Sequence, residues 1–263
     1  MRLIVVGHGR AGGALALAAR AANHEVVGVL TRDLVDTGWP SLDWETDLPE
    51  ADIVLIAVRD EAIEEVARRL SARVGEIGVV AHLSGFVPVL ALHEIQERGT
   101  AVGGFHPLQS LPDHETGAAA LSGAYVGIDG DELAVDMLTH FATSLGMEPF
   151  RLDDHARPAY HAAAAAASNF VVTALAVSAD LFHSAGVDPR VSRPLVERAV
   201  ANVFDKGPAA SLTGPIARGD IDTVIGHLTA AHQVSEHVGR QFRLMAEATT
   251  IRAGREEDLH RWK

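Results

Sequence analysis

Leu3-Ile4-Val5-Val6-Gly7-His8-Gly9-Arg10-Ala11-Gly12 is the stretch on which the reading of the fold turns. Four apolar residues in succession, cut off by glycine, read as a short strand buried on both faces. A helical pattern rich in alanine follows from Arg10 to Ala22. The glycines therefore complete a G-x-G-x-x-G at a strand-to-helix junction, and that setting makes the motif informative. The first glycine permits the tight turn and the second lets a diphosphate approach the backbone. The third lets helix and strand pack closely, with the helix N-terminus facing the anion. Gly7, His8, Gly9, Arg10, Ala11 and Gly12 are thus the expected diphosphate loop of a bound dinucleotide.

Working outward, Glu25–Leu30 reads as a second strand, and its end discriminates between the two nicotinamide dinucleotides. An acidic side chain there accepts hydrogen bonds from ribose hydroxyls, whereas a cation pairs with a 2′-phosphate. Here the strand runs into Thr31-Arg32, a hydroxyl donor and a guanidinium, which favours NADP over NAD, although Asp33 follows directly. Further strands are expected at 53–58, 77–81, 101–105, 124–128 and 148–152, with helices at 61–70 and 132–145. Alternation of this kind predicts a doubly wound, mostly parallel Rossmann sheet.

After Leu152 the strand-like runs give way to long alanine-rich helical patterns, so the expected division is a dinucleotide-binding domain over 1–152 and an all-helical domain over 153–263. Residues 154–184 are long enough for one dominant helix, with Pro158 in its first turn or marking a break. Asp188-Pro189 suits an N-cap and first helical residue, opening a helix to about Phe204. The turn-rich segment 206–220 precedes two further helices, 222–231 and 235–253.

A chain of 263 residues with 48% hydrophobic and 22% charged residues has the balance of a soluble protein that buries a large core. The net charge of −13 opposes binding to nucleic acid, because no dense basic face exists to displace phosphate counterions. Without cysteine, disulfides, thiolate nucleophiles and cysteine-type zinc sites are excluded. The opening apolar run is too brief for a signal-peptide core, so a cytoplasmic location is expected. Residues 162–179 are uncharged for nearly the ~20 residues of a membrane helix. They are mostly alanine, with Ser168, Asn169, Thr173 and Ser178 interspersed, and a buried, tightly packed helix without a membrane is expected instead. His232 and Glu236 lie one helical turn apart, but no H-E-x-x-H occurs and no metal is expected.

Two clusters stand where strands of the first domain end: His82-Leu83-Ser84-Gly85 and Phe105-His106-Pro107-Leu108-Gln109-Ser110. Ligands of open α/β sheets gather there. Ser84 either bonds a nicotinamide ribose or substrate oxyanion or serves as a helix cap; His106 either touches substrate or belongs to a rigid His-Pro turn.

These clusters, the glycine motif, Thr31-Arg32, Ala57-Val58, Tyr160-His161 with Ser168-Asn169-Phe170, and Leu212-Thr213-Gly214-Pro215 with Arg218-Gly219-Asp220 together carry a resemblance over essentially the whole chain. The sequence resembles a bacterial family that pairs a Rossmann-like domain with a C-terminal domain of unknown function, within the 6-phosphogluconate dehydrogenase-like superfamily. That superfamily includes ketopantoate and pyrroline-5-carboxylate reductases. The resemblance implies hydride transfer from NADPH to a small carbonyl, such as the 2-oxo acid ketopantoate, or to an imine, in a homodimer built through the helical domain. It also implies that Ala57 and Val58 join Ser84 beside the cofactor.

One departure matters: where many such reductases place a lysine one turn before an asparagine, this chain has Ala165 before Asn169. Non-catalytic NADP binding, as a sensor or scaffold, is therefore a third reading. On a regular helix His161 returns to nearly the same face as Ser168 and Asn169. His161 is thus the candidate proton donor, with Asn169 and Ser168 orienting substrate; the alternatives are a buried histidine bonded to backbone and an asparagine that only bridges helices. Arg218 either binds a substrate carboxylate or pairs with Asp220 at a helix N-cap, and Asp220 or His227 is placed to touch a substrate hydroxyl.

Overall fold

A computed structural model describes residues 1–33 and 35–261. The chain divides into two compact units, Met1–Ala165 and Ala166–Lys263. The first helix after Leu152 therefore counts with the sheet rather than with the helices that follow.

The first unit is built on β1 (Arg2–Val6), β2 (Glu25–Leu30), β3 (Ser41–Leu42), β4 (Ala51–Ile56), β5 (Ile77–His82), β6 (Ala101–Pro107), β7 (Tyr125–Gly130) and β8 (Glu148–Arg151). They form one sheet in the order β3-β2-β1-β4-β5-β6-β7-β8. Every pairing is parallel except β6 with β7. The chain winds outward from β1 to β3 and then crosses back to β4, so the strand order reverses between β1 and β4. Such a switch point opens a crevice at the carboxyl ends of the strands.

Successive side chains of the central strands alternate between two cores, as the pleat requires. Leu3 and Val5 of β1 face one side with Ile53, Leu55 and Val79. There they join residues of α1 (Arg10–Ala21) and α5 (Glu132–Ser144), among them Leu15, Leu138 and Phe141. Ile4 and Val6 face the other side with Val54, Ile56 and Val80, covered by Ile63 and Leu70 of α2 (Ile63–Ser71) and Ile95 of α3 (His93–Gln96). Helices on both faces explain why these strands read as unbroken apolar runs. The sequence reading passed over β3, α3 and α4 (His114–Leu121). Each is short, and α4 is announced mainly by its N-cap, Asp113, which accepts from the Thr116 amide.

From residue 154 the chain is helical to Ser184: a single 3₁₀ turn, α6 (Arg157–Ala165), a π-helical segment Ala166–Phe170 and α7 (Val171–Ser184). Pro158 takes the first turn of α6, where its missing N–H costs no hydrogen bond. Ser168 and Asn169 lie within the π segment, whose turn is wider than the regular α repeat.

In the second unit α7 packs with α11 (Ile221–Val234) and α12 (Glu236–Arg252) around Val177, Ala231 and Val238. A neighbouring cluster joins Val224, Leu228 and Ala246. Asp188 caps a 3₁₀ turn that runs into α8 (Arg193–Lys206), so the expected Asp-Pro start holds one turn ahead of the helix proper. Two short helices, α9 (Pro208–Ser211) and α10 (Pro215–Arg218), fill the turn-rich segment.

One expectation is overturned here. The alanine-rich run is not a buried helix in the single chain: in the most apolar window of residues 154–184 only 6% of the residues are buried. The second unit's core takes only Val177 of α7 as a fully enclosed residue and none of α8. Phe170, Val172, Leu195 and Phe204 are left exposed.

Candidate functional site

The glycine loop follows from the crowding at the switch point. The Gly7 amide donates to the Leu30 carbonyl at 2.8 Å, the Ala57 amide to the Val6 carbonyl at 2.7 Å, and the chain then turns with Gly7 at φ +97°. A side chain at Gly7 would meet the Ala57 carbonyl oxygen at 2.6 Å and Val58 at 3.0 Å, and one at Gly12 would run into the Gly7 carbonyl oxygen. Gly9 differs: a Cβ there would meet nothing within 4 Å. Its bare backbone faces open space at the start of α1, which has no side-chain cap and no acidic residue in its first turn. Uncapped amides with a positive dipole end and an approach free of side chains are what an anion needs. Ala57 and Val58 line the same turn.

His8 in this loop packs edge-on against His114 of α4, with ring centroids 4.7 Å apart. Burial first, and then His114, lower its pKa from the ordinary 6.5. Arg10 is exposed at the helix start.

At the end of β2 the Thr31 hydroxyl donates to the Asp33 carbonyl at 2.7 Å, and Arg32, 86% exposed, reaches the Asp33 carboxylate at 3.3 Å. That surface pair is weak enough to open for a ligand. The sequence reading missed Trp44, whose indole donates to the Thr31 carbonyl at 2.8 Å while the Arg69 guanidinium lies 4.0 Å over its ring. Nothing in local spacing links residues this far apart.

A second cluster forms where β5 and β6 end. Ser84 is buried, and its hydroxyl oxygen accepts from the Phe86 and Val87 amides at 3.1 and 2.9 Å, so it caps a turn rather than a helix. His106 sits on β6 against the bare face of Gly85, and its Nδ1 lies 2.7 Å from the Tyr160 hydroxyl of α6. The ring of His161, next on α6, is edge-on to His106 at 5.9 Å and 6.2 Å from Phe86. Its Nδ1 is buried and has no hydrogen-bond partner, so the expectation of a backbone-bonded histidine does not describe that atom. His106, His161 and Ser84 of the sequence reading are thus gathered in the first unit. Tyr160 and Arg157 were not selected, although residues 157, 160 and 161 have the spacing of one helix face.

Burial, then His161 and Arg157, push the His106 pKa down to about 4, against a small opposing effect of Asp60. Burial and Arg157 do the same to His82, also to about 4. Burial raises that of Tyr160 to about 12. At neutral pH the cluster therefore presents two neutral imidazoles and a protonated phenol.

Ser168 and Asn169 belong to the π segment of the second unit, and both are exposed there. Arg218 ends α10, exposed, and pairs with no carboxylate among the described residues. Asp220 is the N-cap of α11, accepting from the Thr223 hydroxyl at 2.8 Å and its amide at 3.4 Å. His227 lines a groove of about 830 Å³ in the second unit and packs edge-on against Phe242. Glu236, the other half of the His232 pair, is held by Arg240 at 2.8 Å.

Residues 124–249 match the family model described as Domain of unknown function (DUF2520). The matched stretch starts just before β7 and extends into α12, so it spans the last two strands of the sheet as well as helices. No curated protein matches the sequence. Among solved structures, a Bacteroides fragilis protein provisionally named an NADP oxidoreductase is 21% identical with a TM-score of 0.81, covering 95% of this chain and 98% of its own. An imine reductase from Myxococcus stipitatus in complex with NADP+ is 14% identical with a TM-score of 0.68, covering 99% of this chain and 95% of its own. The Plasmodium falciparum pyrroline carboxylate reductase with NADP bound is 13% identical with a TM-score of 0.60, covering 96% and 98% respectively. At these identities the likeness establishes the fold alone: a Rossmann-like sheet followed by helices.

Buried neutral His82 makes stability depend on pH with a definite sign. Below its ordinary value of 6.5 the unfolded chain takes up a proton that the folded protein refuses until about 4. Stability is therefore complete above that range and is lost as pH falls through it. The urea midpoint should drop between about pH 7 and about pH 5, and His82→Leu should drop less than the parent. Equal losses in the two proteins would show that His82 is not the source.

Proposed function

We propose that this protein is an NADP-dependent oxidoreductase acting on a small C=O or C=N substrate. The observation that carries the proposal is the loop at the switch point. There Gly7 and Gly12 are dictated by crowding, whereas Gly9 is bare against open space beside the uncapped amides of α1. That arrangement fits a diphosphate. The amides of α1 and the loop would hold it, with Ala57 and Val58 beside it, and Thr31 and Arg32 at the end of β2 would meet the 2′-phosphate.

When bound, NADPH supplies the hydride. The residues of this chain then have to bind and orient the acceptor and deliver a proton to the atom that is reduced. His106, His161 and Ser84 lie at the carboxyl ends of β5 and β6, the end of the sheet on which such ligands bind. His161 is placed to give that proton, because its Nδ1 is buried without a partner and its ring lies edge-on to His106. Ser84 keeps its hydroxyl hydrogen for a ligand after accepting two amides. A 2-oxo acid such as ketopantoate is the first substrate to test. The imine reading is supported by the fold shared with imine and pyrroline carboxylate reductases.

The same proposal includes a homodimer through the helices of the second unit. α8 runs for 14 residues without burying one, and exposed Leu195, Val203 and Phe204 on it accompany Phe170, Val172 and Leu175 on the preceding helical run. Apolar area of this extent marks an interaction surface. A second copy covering it accounts for an apolar helix without a membrane.

Three measurements test the proposal. NADPH titration should give saturable binding, and Arg32→Ala should weaken it about tenfold or more while changing NADH far less, given the strength of a charge-assisted phosphate contact. Equal losses for both dinucleotides would remove Arg32 from the phosphate site. His161→Ala should lower kcat roughly a hundredfold with NADPH affinity held, the usual worth of a positioned acid; unchanged turnover would eliminate it as the donor. Light scattering should return the mass of a dimer, and a monomer at micromolar concentration would defeat the interface.

A further inference from the structure

Arg157 is an unusual residue to bury. No larger side chain is fully enclosed among the described residues, and its exposure is 0%. Its Nε donates to Asp154 Oδ1 at 2.6 Å and its Nη1 to the Ser84 carbonyl at 3.0 Å. Nη2 has no hydrogen-bond partner and lies against the bare Cα of Gly104, where any side chain would collide with it. Asp154 in turn accepts the Val89 amide at 3.0 Å on each carboxylate oxygen. One guanidinium thus ties the start of α6 to the segment after β5 and to the middle of β6.

Packing alone does not explain this choice. Enclosing a charge costs several kcal/mol, and an apolar residue of similar volume fills such a space at less cost. What a planar guanidinium adds is direction and a fixed charge. Tyr160 and His161 follow Arg157 at helical spacings of three and four, on one face, and both meet His106.

We propose that Arg157 is a positioning residue of the site, fixing α6 on the ends of β5 and β6 so that Tyr160 and His161 are aimed at His106. Its bearing on turnover rests on the reductase reading above. The charge acts together with the geometry. The groups facing His106 are Tyr160, His161 and Arg157 of α6 and Asp60 of the turn before α2; His82 on β5 adds a neutral imidazole to the same neighbourhood. Of these, burial, His161 and Arg157 disfavour its imidazolium form. A neutral His106 either accepts the Tyr160 O–H at Nδ1 or donates its own N–H to the phenol oxygen, so the hydrogen bond between them can run in either direction. A protonated one can only donate.

The test uses full-length protein with labelled histidine, the His106 signal being identified by its loss in His106→Asn. In the parent, His106 should remain neutral down to about pH 4. In Arg157→Met its midpoint should rise toward the ordinary 6.5, with Arg157→Lys between the two. With NADPH and either ketopantoate or 1-pyrroline as probe, Arg157→Met should lose about tenfold or more in kcat, recover part of it as Arg157→Lys, and keep NADPH affinity within about threefold. Should Arg157→Met fail to fold, Gly104→Ala displaces the cation from its space, and a smaller rise of the His106 midpoint in the same direction is expected. A folded variant in which His106 titrates as in the parent overturns the proposal. Failure of the parent to bind NADPH sinks the reductase reading alone, because the titration needs no cofactor.

Discussion

A side chain on Gly12 would run into the carbonyl oxygen of Gly7, and one on Gly7 would run into that of Ala57. This mutual approach of β1, α1 and the end of β4 is the constraint on which the rest of the first unit depends. It lets α1 start directly over the switch point, so that its first amides face the crevice where the strand order reverses. It also explains why the two crowded glycines and the open one, Gly9, occur in a fixed spacing: two make the turn possible, and the third leaves it accessible. The open approach to the uncapped start of α1 is a by-product of packing a helix as close to a parallel strand as backbone atoms allow.

The second cluster is organised by a charge rather than by small residues. Arg157 holds α6 to Ser84 and Gly104, and the same guanidinium disfavours protonation of His82 and His106. A buried cation is a poor source of stability but an effective source of orientation. The cost is tolerable because Asp154 neutralises it at 2.6 Å and the Ser84 carbonyl satisfies a second donor. His106, Tyr160 and His161 then form a compact set at the carboxyl ends of the strands, in which His106 and Tyr160 are neutral at physiological pH.

The second unit follows a different logic. Its core, gathered around Val177, Ala231, Val238 and Val224, is small for three long helices, and α8 contributes nothing to it. Phe204, 85% exposed, and Leu195, 70% exposed, stand on the open side of α8.

By itself the sequence determined the alternation of strand and helix, the change to an all-helical pattern, the glycine loop and the side chains at the ends of β2, β5 and β6. These are local signals: the two-residue and 3.6-residue periods, glycine at a strand-to-helix junction, and Asp-Pro as a helix start all act within a few residues. Only the tertiary structure decided that Trp44 links Thr31 to Arg69, that Arg157 meets Ser84 across 73 residues and that Tyr160 meets His106 across 54. It also decided that the helix read as buried is exposed in the single chain and that Ser168 and Asn169 lie in a π-helical segment. The reason is the same in each case. Composition and period tell a segment that it has an apolar face, but what covers that face, and which distant donor meets which acceptor, is set by how the elements pack.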